Sequence, residues 1–427
     1  MVNKIKNILS LDIFKVFSLT AVSTLVRMLT GLISVKVVAV LIGPSGIALL
    51  GQLNNFASIV MILASGGINT GITKYIAEFK NDDFEVKKLL SSALKITIYC
   101  SLACGLLLVL LSGYLSEKIM LSAGYSYVFV IFGLTIILYA LNNLIASILN
   151  GYKEFKLFVL VSIVGSIGGL IFTLLFVYFL GLKGALISAV TFQSVMFFIS
   201  LFMIRNLAWV QKDYFKYKLD TISRNKYFKY SLMTLVTAAT APVAQLLLRG
   251  HVIANISTIE AGWWEAMNRI SNMYLLVITT SFSVYYLPRL SELKENYEIK
   301  AEIFKAYKII VPTLIVSFTI LYFARFITIR ILFSAEFLKM EKLFVWQLLG
   351  DFFKICSWLL AYLMIAKTMT KTFIFTEIFA TVFYLLVAYI LMNYTGVIGI
   401  TQAYAINYFI YFILMVVLFR KILLVKN

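Results

Sequence analysis

Long apolar runs of about 20 to 30 residues, separated by short polar connectors, fill the chain from near residue 12 to near residue 419. Each is long enough to cross a hydrocarbon core of about 30 Å as a helix. The runs fall near 12–42, 46–79, 88–113, 119–149, 156–180, 184–205, 228–253, 259–288, 301–326, 337–366, 372–394 and 397–419. Twelve membrane-spanning helices are the expectation. A membrane strand would read as about ten alternating residues, so an all-α, polytopic membrane fold is the only class the pattern admits.

An internal repeat organises those runs. A shift of 213 places Ser18 on Ser231 and Lys36 on Arg249; a shift of 214 places Asn54 on Asn268 and Glu78 on Glu292. A shift of 215 brings Gly181 to Gly396, Gly184 to Gly399 and Arg205 to Arg420. Two six-helix bundles follow, residues 1–205 and 228–427, joined by a basic cytoplasmic linker at 206–227. Six is even, so both bundles enter from one side of the membrane, and two such bundles facing each other form a V around a central cavity. Rocking them would expose that cavity to each side in turn, which is a transporter's plan.

Charge sets the orientation. Of the 38 Lys and Arg, 27 fall in the N-terminal tail, alternate connectors and the C-terminal tail, whereas the opposite connectors hold six: Lys118, Lys183, Arg325, Arg330, Lys339 and Lys342. Positive loops stay in the cytoplasm, so both termini are expected there. The same rule accounts for the net charge of +19 without nucleic acid as a partner. A hydrophobic share of 62% and a mean hydropathy of +0.95 leave too little polar surface for a water-soluble globule. The opening MVNKIKNILSLDIF does not read as a removable signal.

Five cations remain inside the spans: Arg27, Lys36, Arg249, Arg269 and Lys354. Charge in hydrocarbon is costly enough to imply a role. Arg27 shares a helix face with Thr20, Thr24, Gly31 and Ser34, and Arg249 follows Pro242, which should kink its helix. Lys36 lies nine residues after Arg27, on the opposite side of a straight helix, and so needs a bend or a reach to the interface. Arg27, Lys36 and Arg249 are therefore the candidates for holding an anionic substrate. Arg269 sits four residues after Glu265, in the order that favours an intrahelical ion pair. Asp351 and Lys354 are three apart and could neutralise each other or, with Glu377, couple transport to a proton. Polar stripes carry Gln52, Asn55, Asn69 and Thr73 on the second run, Ser231, Thr234 and Gln245 on the seventh, and Asn268, Asn272 and Thr279 on the eighth. Gln52, Asn55, Asn268 and Asn272 are candidates for sugar hydroxyls, although such stripes also serve as glue between helices.

Catalytic signatures are missing. The chain has no P-loop, no Gly-rich dinucleotide turn, no Gly-x-Ser-x-Gly elbow and a single His, and Cys100, Cys104 and Cys356 offer no metal-ligand spacing. Neither an enzyme nor a cofactor or metal site is expected.

The segments LIGPSGIALLGQLNNF (41–56), GINTGITKYIAEF (67–79), SFSVYYLPRLSEL (281–293), LFVWQLLGDFFKI (343–355), YLMIAK (362–367) and TQAYAINYFIYF (401–412) resemble Wzx-type translocases. These form the polysaccharide-transport branch of the multidrug, oligosaccharidyl-lipid and polysaccharide (MOP) exporter superfamily, and the resemblance is strongest to enteric lipid III flippases. It implies a flippase of a Gram-negative inner membrane that moves undecaprenyl-diphosphate-linked oligosaccharide, an O-antigen unit or related surface glycan, to the periplasmic leaflet. A polysaccharide polymerase and a chain-length regulator are the partners it suggests. The resemblance places a cation at Arg27, where lipid III members tend to have Lys, supports Lys36 and Arg249, and matches Asp351 and Lys354. It departs at Glu265 and Arg269, which are neutral in the lipid III type. A drug or cation antiporter of the same superfamily and a membrane polysaccharide polymerase are the alternatives.

Overall fold

Backbone groups in lipid have no water to bond to, so each apolar run closes its own hydrogen bonds as a helix. The computed structural model describes the backbone of residues 2–79, 82–217 and 221–424, and the side chains of residues 22–79, 82–211, 213–217, 238–283 and 285–424. Among the residues named above, Ser18, Thr20, Ser231 and Thr234 lie outside the described side chains.

Helix α1 (Val2–Ala64) bends at Gly43, whose φ of 64° and ψ of −173° are not helical, and Pro44 follows. The bend turns one long helix into two legs, as the expected boundary between residues 42 and 46 requires. The second leg stops at Ala64, however, and Gly66 and Gly67 both take positive φ before α2 (Asn69–Phe79) resumes. The run 46–79 is thus two pieces rather than one span, because two consecutive glycines let the backbone leave the helix. Helix α3 (Asp83–Leu110) starts at Asp82, whose carboxylate accepts from the Glu85 amide at 3.1 Å, and α4 (Ser112–Ile119) and α5 (Ser126–Gly151) follow. Helix α6 (Phe155–Ile204) bends at Gly181, again giving two legs.

The second half begins with α7 (Thr221–Asn255), which contains Pro242, and α8 (Thr258–Ser281). A π-helical turn at Phe282–Tyr286 leads into α9 (Leu287–Glu292), followed by α10 (Asn296–Phe323) and α11 (Arg325–Leu332). Then come α12 (Phe344–Ala366), α13 (Thr370–Thr395), α14 (Ile398–Leu418) and the short α15 (Arg420–Leu423). Among the described residues, eight helical stretches are long and apolar enough to cross a membrane. Bent α1 and α6 supply two legs each, and α7 and α8 complete the twelve. Of those last two, whose polar positions include Arg249, Glu265 and Arg269, α7 is only partly described.

The repeat is visible in the backbone. A shift of 213 carries α3 onto α10 and α4 onto α11, end for end. Gly181 (φ 55°, ψ −131°) and Gly396 (φ 60°, ψ −140°) make the same left-handed bend. Three residues on, a Cβ at Gly184 would lie 1.8 Å from the Phe176 carbonyl oxygen, and one at Gly399 would lie 2.6 Å from that of Leu391. Phe176 and Leu391 are themselves repeat mates. The glycine matches in the sequence therefore mark one turn used twice.

The chain divides into two compact units, Met1–Ile42 with Gln52–Pro242, and Gly43–Gly51 with Val243–Asn427. In the first, Ile72, Ile76 and Leu90 pack on Leu144, Ile148 and Leu149, with Trp209 buried beside them. In the second, Phe282, Leu290 and Ile303 pack on Leu359, Leu363 and Met415. Exposed Tyr178, Phe179, Phe323 and Tyr394 are the lipid-facing surface that such a fold must leave.

Helices α3 and α5 meet at two glycines. A Cβ on Gly105 would lie 2.5 Å from the Gly133 carbonyl oxygen, and one on Gly133 would lie 2.6 Å from that of Gly105. Backbone cannot yield as a side chain can, so Gly133→Val is expected to cost about 1–3 kcal/mol or more. A lowered unfolding midpoint of the purified protein in detergent, relative to Leu134→Val on the exposed side of α5, checks this.

Candidate functional site

The charged residues of the second unit gather into two centres. The first is built on α7 and α8. Arg249, fully buried, donates from Nη2 to Glu265 Oε2 at 2.5 Å, while Arg269 donates from Nε to Glu265 Oε1 at 3.0 Å. The Arg269 pair is the one expected from the spacing of four. Arg249 is the addition: its partner lies 16 residues away on the neighbouring helix, where no local spacing rule reaches. Two guanidiniums thus share one carboxylate, and the trio carries one net positive charge. The Arg249 guanidinium also lies over Trp264, 5.3 Å from the ring centroid, and its Nε and Nη1 meet no acceptor among the described residues.

The segment Gly43–Gly51 makes the burial of Glu265 possible. A Cβ at Gly51 would fall 2.6 Å from the Glu265 carboxyl carbon, and a Cβ at Gly262 would fall 1.9 Å from the Pro44 carbonyl oxygen. Both glycines are needed for backbone to lie this close to α8. The bend at Gly43 starts this segment.

The second centre joins α8, α12 and α14. Asp351, fully buried, accepts at Oδ2 from Ser271 Oγ (2.7 Å), Gln347 Nε2 (3.2 Å) and the Tyr274 hydroxyl, and at Oδ1 from the Tyr404 hydroxyl at 2.8 Å. The spacing of three predicts a direct pair with Lys354. Instead Lys354 Nζ donates to the same Tyr404 hydroxyl at 3.0 Å, so the phenol stands between ammonium and carboxylate. Gly350 leaves room for it, since a Cβ there would be 2.2 Å from the Tyr404 ring. Trp358, Tyr404 and Tyr408 surround the Lys354 ammonium at 5.0–5.4 Å from their centroids. Glu377 accepts from the Tyr411 hydroxyl at 3.2 Å, one helical turn beyond Tyr408. Sequence reasoning missed the tyrosines 404, 408 and 411, although their spacing of four and three on one helix face was there to read.

The other candidates are placed as follows. In the first unit Arg27 is exposed, Lys36 and Asn55 are half-buried, and Gln52 is buried. In the second, Asn268 is half-buried beside the guanidinium cluster and Asn272 is exposed. Trp264 is buried under Arg249.

Removing Glu265 would strand two guanidiniums, one of them sealed from water. Glu265→Gln is expected to destabilise the protein by about 3–5 kcal/mol, while the paired change Arg249→Met with Glu265→Gln should cost less than Glu265→Gln alone. Thermal unfolding of the purified variants in detergent measures both, and additive losses would contradict the shared-carboxylate reading.

Residues 13–294 match the family model described as polysaccharide biosynthesis protein. The chain is 30% identical over 393 residues, 92% of its length and 94% of theirs, to the lipid III flippases of Escherichia coli (strain K12) and Shigella flexneri. Among solved structures it is similar to an inward-facing multidrug resistance MATE family transporter of the MOP superfamily, with a TM-score of 0.77 and 14% identity over 94% of this chain and 95% of the other. The lipid II flippase MurJ, in an inward closed conformation, gives a TM-score of 0.73 and 18% identity over 96% and 90%. With an all-helical fold shared with MOP transporters and sequence identity running through both halves of the repeat, this chain belongs to the polysaccharide biosynthesis protein family.

Proposed function

We propose that this protein is a flippase that carries undecaprenyl-diphosphate-linked oligosaccharide, an O-antigen repeat or related surface glycan, from the cytoplasmic to the periplasmic leaflet of the inner membrane. The lipid III flippases to which it is 30% identical support that reading by name. The observation that carries it is the positive charge left over where Arg249 and Arg269 share Glu265 on membrane helices. A diphosphate has about two negative charges and cannot cross hydrocarbon alone, so cations must meet it inside the protein.

Arg27, Lys36 and the Arg249 cluster are the proposed diphosphate contacts. Arg249 is sealed against the Trp264 ring and acts through Glu265, which orients Arg269 as the more exposed guanidinium; the Arg269 side chain is 17% exposed and that of Arg249 is 0%. Gln52, Asn55, Asn268 and Asn272 offer amides to sugar hydroxyls. The Asp351–Tyr404–Lys354 chain and Glu377 are the proposed coupling groups, exchanging a proton or cation as the transporter cycles. The activity is transport and not catalysis. Both termini face the cytoplasm in this reading, and a polysaccharide polymerase with its chain-length regulator takes the product.

The drug-antiporter alternative would not need the cations. Surface glycan in a strain lacking its own O-antigen translocase distinguishes the two: the wild-type gene should restore it, and Arg27→Ala, Lys36→Ala and Arg269→Ala should each reduce it by about tenfold or more, the loss of one charge-assisted contact. Full glycan in all three variants, at normal protein levels, would remove the diphosphate assignment.

A further inference from the structure

The helix break at residues 65–68 starts α2 afresh at Asn69, and the first turns of α2 form one wall of a pocket in the first unit. Ala146, Ser147 and Asn150 of α5 and Phe158 of α6 form the rest of this open cleft of about 450 Å³. That volume lies within the range of about 300–1,000 Å³ typical of small-ligand sites. None of its residues belongs to the charged centres described above.

The hydrogen-bond inventory of the wall says what it can hold. Thr73 Oγ1 donates to the backbone carbonyls of Ser147 (3.1 Å) and Asn69 (3.2 Å), and Ser147 Oγ donates to that of Asn143 (2.9 Å). Both hydroxyls have committed their hydrogens to backbone and keep lone pairs. Asn69 Oδ1 is buried and has no hydrogen-bond partner among the described residues. A buried acceptor left unpaired costs about 1–3 kcal/mol, so it calls for a donor. The pocket therefore presents oxygen acceptors beside the donors of Thr70, Asn150 and Lys74. A sugar hydroxyl both donates and accepts, as this mixture of groups requires, and the Phe158 ring offers an apolar face to the C–H side of a pyranose.

We propose that this pocket is a saccharide subsite, holding sugar rings of the lipid-linked glycan apart from its diphosphate. The inference rests on the flippase function proposed above. In the topology proposed there, α2 ends at Phe79 and α5 at Gly151 on the cytoplasmic side, so the subsite lies toward the leaflet where the glycan is loaded. Asn69, Thr70 and Asn150 select the glycan by its hydroxyls while the buried cations take the charge.

Thr70 and Asn150 are exposed, so substitutions there leave the core intact. Purified full-length protein in nanodiscs would be titrated with undecaprenyl-diphosphate-linked oligosaccharide extracted from the complemented strain, and separately with sugar-free undecaprenyl diphosphate. Thr70→Val and Asn150→Ala should each weaken binding of the glycan-bearing lipid by about five- to tenfold, the loss of one hydrogen bond, and leave the sugar-free lipid unchanged. Thr70→Ser should bind as wild type. Unchanged affinity for the glycan-bearing lipid in both variants, or an equal loss with both lipids, would overturn the subsite while the flippase reading stands. A wild-type protein that neither prefers the glycan-bearing lipid nor flips it would remove both.

Discussion

One carboxylate held by two guanidiniums is the interaction on which the second unit is arranged. Glu265 cannot be stable there alone, nor can Arg249, which has no exposed surface. Burying them requires backbone packed against α8 closely enough to exclude water, and that is the task of the segment Gly43–Gly51. The left-handed bend at Gly43, the bare Cα atoms at Gly51 and Gly262 and the ion trio are therefore parts of one device. Buried ion pairs are seldom retained for stability, because desolvation consumes most of the Coulombic gain. An unequal trio, with one positive charge in excess, makes more sense as a receptor for an anion.

The second charged centre is organised differently. Asp351 is surrounded by four donors and Lys354 by three aromatic rings, so Tyr404 conveys the attraction between them through its hydroxyl. A carboxylate and an ammonium separated by one phenol can change their mutual contact by a small rotation of that ring. Such an arrangement suits a group that must respond to the conformational cycle, whereas the Arg249 trio suits one that must stay fixed.

Much of the architecture was legible because the membrane simplifies the reading. Apolar run length fixed the twelve legs, and the glycine matches at a shift of 215 corresponded to equal bends at Gly181 and Gly396. Local contacts were legible too, as with Glu265 and Arg269, one helical turn apart. The partners of Arg249 and Tyr404 were not, since they are set by packing between helices, and the tyrosine spacing on α14 does not say which groups it meets. The interruption after Ala64 sits between these cases. The pair Gly66 and Gly67 was plain in the sequence, but a continuous apolar run outweighed it, and the polar wall that the break creates only became visible in three dimensions.

Proteoliposomes containing the purified protein and fluorescent undecaprenyl-diphosphate-linked oligosaccharide, probed with a glycan-cleaving enzyme that cannot cross the bilayer, address the central claim most directly. Protein-dependent transfer of the labelled glycan between leaflets, with its length unchanged, is the expected result. Glycan that stays in its original leaflet, or that grows longer as a polymerase would make it, would contradict a flippase built on buried positive charge.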